Sequence, residues 1–161
     1  MLGYGRRFSA VLSVGMFAAA LVSMVAMTMT PRAVAAADPA LDAMKARLSS
    51  TAVGDRPRLC LQIAEHQLAE TDKLYAASDV DNAQTTLTDV VAYSELARDY
   101  AIQSHKYQKQ TEIAVRAMAR RLTELVHVLA HDDQAPVREA INRLQRVRDD
   151  LLAAMFKKGA K

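Results

Sequence analysis

Residues 80–134 read VDNAQTTLTDVVAYSELARDYAIQSHKYQKQTEIAVRAMARRLTELVHVLAHDDQ. No glycine or proline interrupts this stretch, and none occurs anywhere between Pro57 and Pro136. Alanine is its commonest residue, and no run alternates with period two. That combination predicts helix and argues against strands. Apolar or small residues at Val90, Ser94, Ala97, Ala101, Gln108 and Val115 fall on one helical face. The stripe keeps its phase through the polar run from Gln103 to Gln110, which is the only place where a break could fall. The reading preferred here is one unbroken helix from Val80 to about Asp132. At 1.5 Å per residue it would be roughly 78 Å long.

Outward from it, Ser78, Asp79 and Asp81 are good N-cap residues and mark a turn before Val80. Gly54-Asp55-Arg56-Pro57 reads as another turn, with Pro57 suited to the first turn of a helix running to about Ala77. A short helix is predicted at about 40–50. Pro136 opens a final helix to about Lys157. There Val137, Ala140, Leu144, Val147, Leu151 and Ala154 alternate steps of three and four, the spacing of left-handed coiled-coil packing. Met155 and Phe156 are expected to close its end. The expected fold is all-α: an elongated bundle of three long antiparallel helices plus a short N-terminal helix. The alternative is a compact four-helix bundle broken near 103–110.

The chain begins with Arg6-Arg7, then an uncharged apolar run from Phe8 to Met29, then Ala33-Val34-Ala35-Ala36-Ala37. A cationic start, an apolar middle and small residues at the end make a secretory signal peptide over residues 1–37, cleaved after Ala37 or Ala35. The rival reading is an uncleaved anchor, since the run is long enough to cross a bilayer. Either way the positive-inside rule puts residues 38–161, a single helical domain, outside the cytoplasm. The expected location is periplasmic or secreted, with inner-membrane anchoring as the alternative.

The leader also accounts for the charge. Of 21 basic residues, Arg6, Arg7 and Arg32 precede Asp38, which leaves 18 against 18 acidic ones. A neutral exported domain gives no reason to expect nucleic acid as a partner. Its halves are polarised: residues 38–97 carry 5 basic and 10 acidic groups, residues 98–161 carry 13 and 8. Mutual neutralisation of the two halves is the plainer account, and attraction to an anionic surface is the functional one. The single cysteine, Cys60, falls on the apolar side of its helix and is expected to be buried.

Three constellations could carry function. Glu124, His127 and His131 are spaced by three and four, as in the Glu-x-x-His elements of di-iron bundles. On a continuous helix they face away from the apolar stripe, so a solvated face is the stronger account and a metal-binding bundle the alternative. Lys106, Lys109, Arg116 and Arg120 form a cationic stripe on that polar face, suited to a polyanion or membrane surface and equally to water. Tyr93, Tyr100 and Tyr107 recur every seven residues; they form either an aromatic strip for glycan or peptide, or a cover along the seam edge. His66 lies opposite Cys60, Ile63 and Ala64 and is expected to be exposed. No CxxCH, phosphate loop, HExxH or EF-hand loop occurs, and no cofactor is expected. Loop-poor helical architecture argues against an enzyme.

The stretches Gln110-Thr111-Glu112-Ile113-Ala114-Val115-Arg116 through Arg120-Arg121-Leu122, and Pro136-Val137 through Arg148-Asp149-Asp150-Leu151-Leu152 to Met155-Phe156, look like parts of exported all-helical proteins of bacteria with no assigned function. The resemblance spans about the last third of the chain and implies export and helicity, not activity. The chain also superficially resembles small periplasmic helical chaperones of the envelope-stress type, but lacks their Leu-Thr-x-x-Gln motif. The expectation is a non-enzymatic exported module that binds an unknown protein or an anionic envelope surface, with self-association through helix packing a further option.

Overall fold

The computed structural model describes residues 38–157. The leader expected over residues 1–37 lies outside them. Asp38 caps the first helix, α1 (Pro39–Arg47), its carboxylate accepting the Ala40 amide at 2.8 Å, with Pro39 in the first turn and Lys45 and Arg47 in the last. The 48–55 connection leads into α2 (Arg56–Ala76), with Pro57 near its start. The fold continues with α3 (Val80–Ser104), α4 (Gln108–Val126), a single 3₁₀ turn at His131–Asp133, and α5 (Gln134–Lys157). Among the described residues there is no strand.

The turn between α2 and α3 is a Schellman closure. The Ser78 amide donates to Tyr75 O and the Asp79 amide to Leu74 O, at 3.0 and 2.9 Å. It places Ser78 at φ 60°, where glycine is usual.

The long helix expected from Val80 to Asp132 is divided. It stops at Ser104 and restarts at Gln108, and His105 and Tyr107 both take left-handed backbone angles, φ 55° and 60°. The architecture is therefore the compact four-helix alternative, not three long helices. The reason is burial. A straight helix of that length would hold the α2–α3 and α4–α5 pairs apart and leave the apolar face of each pair uncovered. Folding back at 105–107 covers it.

α2 and α3 form one antiparallel hairpin, α4 and α5 another. The hairpins pack so that α3 lies along α5 and α2 along α4. Glu95 with Arg143 and Arg98 with Asp150 show α3 and α5 running in the same direction. The three-residue 105–107 connection thus crosses from one hairpin to the other. α3 is the most shared element, and its buried face is made largely of small residues, Ala83, Ser94, Ala97 and Ala101, which allow close approach. Ser94 satisfies its buried hydroxyl by donating to Val90 O at 2.7 Å.

The core joins Cys60, Ala64 and Leu68 of α2, Leu87, Val90 and Val91 of α3, and Val115, Met118 and Leu122 of α4. α5 adds Val137, Ala140, Leu144, Val147 and Leu151, the seam read from its sequence. Each fully buried aliphatic chain such as Leu144 or Leu122 contributes about 1.5–3 kcal/mol. Phe156, expected to close the end of α5, is instead 75% exposed.

Charge neutralisation between the halves is visible in the ion pairs Glu95–Arg143 and Asp72–Arg121. Glu112, itself buried, accepts from Arg148 Nε at 2.9 Å and so ties α4 to α5.

Candidate functional site

The structure redistributes the residues singled out from sequence. Glu124 is on α4, but that helix ends at Val126, with His127 as its C-cap and His131 beyond it in the 3₁₀ turn. The three therefore do not share one helix. Among the described residues no group of three His, Cys, Asp or Glu side chains is placed to hold a metal ion. The metal-binding reading of Glu124, His127 and His131 assumed a helix that continues past Val126, and α4 stops there.

The cationic stripe is shortened rather than lost. Lys106 sits in the 105–107 connection and lies against Gly54, where an added Cβ would be 3.1 Å from Lys106 Cδ. Lys109, Arg116 and Arg120 remain on the outward face of α4, all exposed. Arg116 is 3.8 Å from Glu112, a carboxylate already engaged by Arg148, and Arg120 is 3.7 Å from Glu124. Both separations exceed hydrogen-bond length. Lys109 has no ion-pair partner among the described residues. Ile113 is exposed on this same face.

The tyrosine ladder has an internal use. Lys45, Arg56 and Arg58 stand over the rings of Tyr93, Tyr100 and Tyr107 at 5.6, 5.2 and 5.7 Å from their centroids. One face of each ring is thus taken by a cation from α1 or α2, and all three side chains are half-buried. The seven-residue spacing keeps Tyr93 and Tyr100 on one side of α3, while Tyr107 meets its cation from the connection that follows that helix.

A groove that sequence reading missed lies between α1, α2 and α3. It encloses about 510 Å³ and is lined by Leu41, His66, Glu70, Leu74, Thr86 and Asp89, among others. His66 Nε2 is 3.0 Å from Asp38 Oδ2, while its Nδ1 is buried and has no hydrogen-bond partner. His66 is half-buried, not exposed, because α1 folds back over it. Asp89 accepts from Lys45 Nζ at 3.0 Å and from Gln67 Nε2 at 2.6 Å, and Thr71 and Thr86 share a hydroxyl contact at 2.9 Å. The groove's polar groups are mostly spent on one another. The arrangement holds α1 in place and assembles no nucleophile with a base. A signal for it was present in Asp38-Pro39 as a helix start, but its members come from three elements and no local pattern joins them.

Cys60 is fully buried, and burial pushes its thiol up to about 11, with Arg56 opposing the shift only in part. A neutral buried thiol is a poor nucleophile.

No protein-family model, no curated protein and no solved structure matches this chain. Among the described residues no helix is long and apolar enough to cross a membrane.

Proposed function

We propose that this chain is exported to the periplasm or beyond, and that its helical domain is a non-enzymatic module docking on an anionic envelope surface through the outer face of α4. The observation that carries the reading is electrostatic. Arg116 and Arg120 are 59% and 83% exposed on successive turns of α4 with no carboxylate within hydrogen-bond distance, and Lys109 lies two turns away on that face. Four other arginines, Arg121, Arg143, Arg98 and Arg148, are spent on carboxylates of this chain, Asp72, Glu95, Asp150 and Glu112. Exposed cations on one face, held only loosely by their i,i+4 glutamates, are attracted to anionic headgroups by about 1 kcal/mol each near the surface. Ile113 adds an apolar contact between them.

The export half of the proposal rests on the leader's three-part pattern in residues 1–37. The docking half is tested by co-sedimentation with vesicles. Binding to phosphatidylglycerol vesicles should exceed binding to neutral phosphatidylcholine vesicles and fall with added salt. Arg116→Glu with Arg120→Glu should weaken it by roughly thirtyfold or more, two lost attractions at tenfold per 1.4 kcal/mol. Equal binding to both vesicle types, or indifference to the double substitution, would remove this reading.

A further inference from the structure

The connection between α3 and α4 does not look, in its sequence, like a turn. It contains no glycine, proline or asparagine, yet two of its three residues, His105 and Tyr107, stand in the left-handed region that favours glycine. The stripes on its two sides are also in register with each other. Buried positions fall at Val90, Ser94, Ala97 and Ala101 in α3 and at Thr111, Val115, Met118 and Leu122 in α4. With half-buried Ser104 and Gln108 between them, the steps run four, three, four, three without a slip. A hairpin places no such demand, because each of its helices can choose its own face. One straight helix does, since only an unbroken phase keeps a seam on one side.

We propose that this chain has a second assembled state, a homodimer in which His105–Tyr107 join α3 and α4 into one helix and the α4–α5 hairpin of each copy packs on the α2–α3 hairpin of the other. The contacts of the closed bundle, among them Glu95–Arg143 and Asp72–Arg121, re-form between copies. The two long helices run antiparallel about a two-fold axis near residue 106, which gives a closed, isologous exchange. Opening relieves two left-handed residues per chain. It also pairs the amides and carbonyls that helix ends at 104 and 108 leave without intrahelical partners.

Opposing it are association at finite concentration and the contacts that hold the connection shut. These are Arg58 over the Tyr107 ring at 5.7 Å, the Tyr107 hydroxyl donating to Asp55 at 3.5 Å, and Lys106 against Gly54. A hinge of this kind, short and under strain, sets the two states by concentration.

The test is light-scattering chromatography of the whole chain as recovered from its expression host, refolded over a concentration series. Amide exchange is then measured across 103–109 in each fraction. A dimer fraction should grow with refolding concentration and persist when diluted. Its amides at 105–107 should exchange at least tenfold more slowly than the monomer's, because only the swapped form makes them helical. His105→Ala with Tyr107→Ala removes a latch and raises helix propensity, so dimerisation should strengthen roughly tenfold or more. His105→Gly with Tyr107→Gly suits the left-handed turn and disfavours helix, so dimerisation should weaken about a hundredfold. A chain that stays monomeric throughout the series both as wild type and as the double alanine variant would overturn the proposal. So would a dimer whose 105–107 amides exchange as fast as the monomer's, which marks two closed copies merely in contact. The wild-type arm decides even where a variant fails to fold.

Discussion

Tyr75 shows how a single residue can work against its own fold. It is buried at the end of α2, yet its hydroxyl has no partner, and its proton is held more tightly than usual by burial and by the nearby Asp133 carboxylate. A buried polar group without a hydrogen bond costs about 1–3 kcal/mol. Tyr75→Phe removes the hydroxyl and keeps the ring, so denaturant unfolding should show equal or higher stability, by up to about 1–2 kcal/mol. A loss of more than about 1 kcal/mol would mean the hydroxyl has a bonded partner after all. Ser78 illustrates the complementary case: its left-handed backbone is tolerated because two capping hydrogen bonds depend on it. Glu112 is a third case, a buried carboxylate kept tolerable by Arg148.

Among the elements, α1 is the least anchored. It has no buried residue. It is held by the Asp38–His66 contact, by Lys45, which bridges Asp89 and the Tyr93 ring, and by half-buried Leu48 just beyond its end. A helix of nine residues is marginal in isolation and takes its stability from docking. Lys45→Ala should therefore increase deuterium uptake in a 39–48 peptide towards that of unprotected chain. Global unfolding of α2–α5 should fall by no more than about 1 kcal/mol, the worth of a partly exposed ion pair. Unchanged uptake in that peptide would show that Lys45 is not what holds the helix. α5 is the opposite kind of element. Its seam sits in the core from Val137 to Leu151.

For the molecule as a whole, the titration that matters is that of Cys60. Its thiol stays neutral in the folded chain up to about 11, whereas the ordinary value is 9.0. The stabilisation is complete below about pH 9 and is lost as pH rises through 9 to 11, because only unfolding then lets the thiol ionise. Unfolding free energy should drop by about 2 kcal/mol over that window. Tyr75 and Tyr93, whose pKa values are also raised by burial, steepen the fall at its upper end. Cys60→Ala should flatten the part of the slope between pH 9 and 10. A wild-type profile that is level from pH 8 to 11 would show that the thiol is not desolvated as its burial implies.

By itself, the sequence determined the helical class, the seam of α5, the burial of Cys60 and the boundaries near Pro57 and Ser78. Each is written locally, in the spacing of apolar residues or in a breaker. Where the long helix folds back was decided only by tertiary structure. His105, Lys106 and Tyr107 carry no turn signature and the stripe runs through them in phase, so no local preference opposes a straight helix. What opposes it is the burial gained when α4 and α5 cover α2 and α3. The candidate sites followed that one decision. The Glu124–His131 spacing dissolved when α4 ended at Val126, and Lys106 left the stripe for the connection. The groove under α1 arose from three segments that nothing in the sequence brings together. The outward cations of α4 were legible throughout, because an exposed helical face needs no partner to define it.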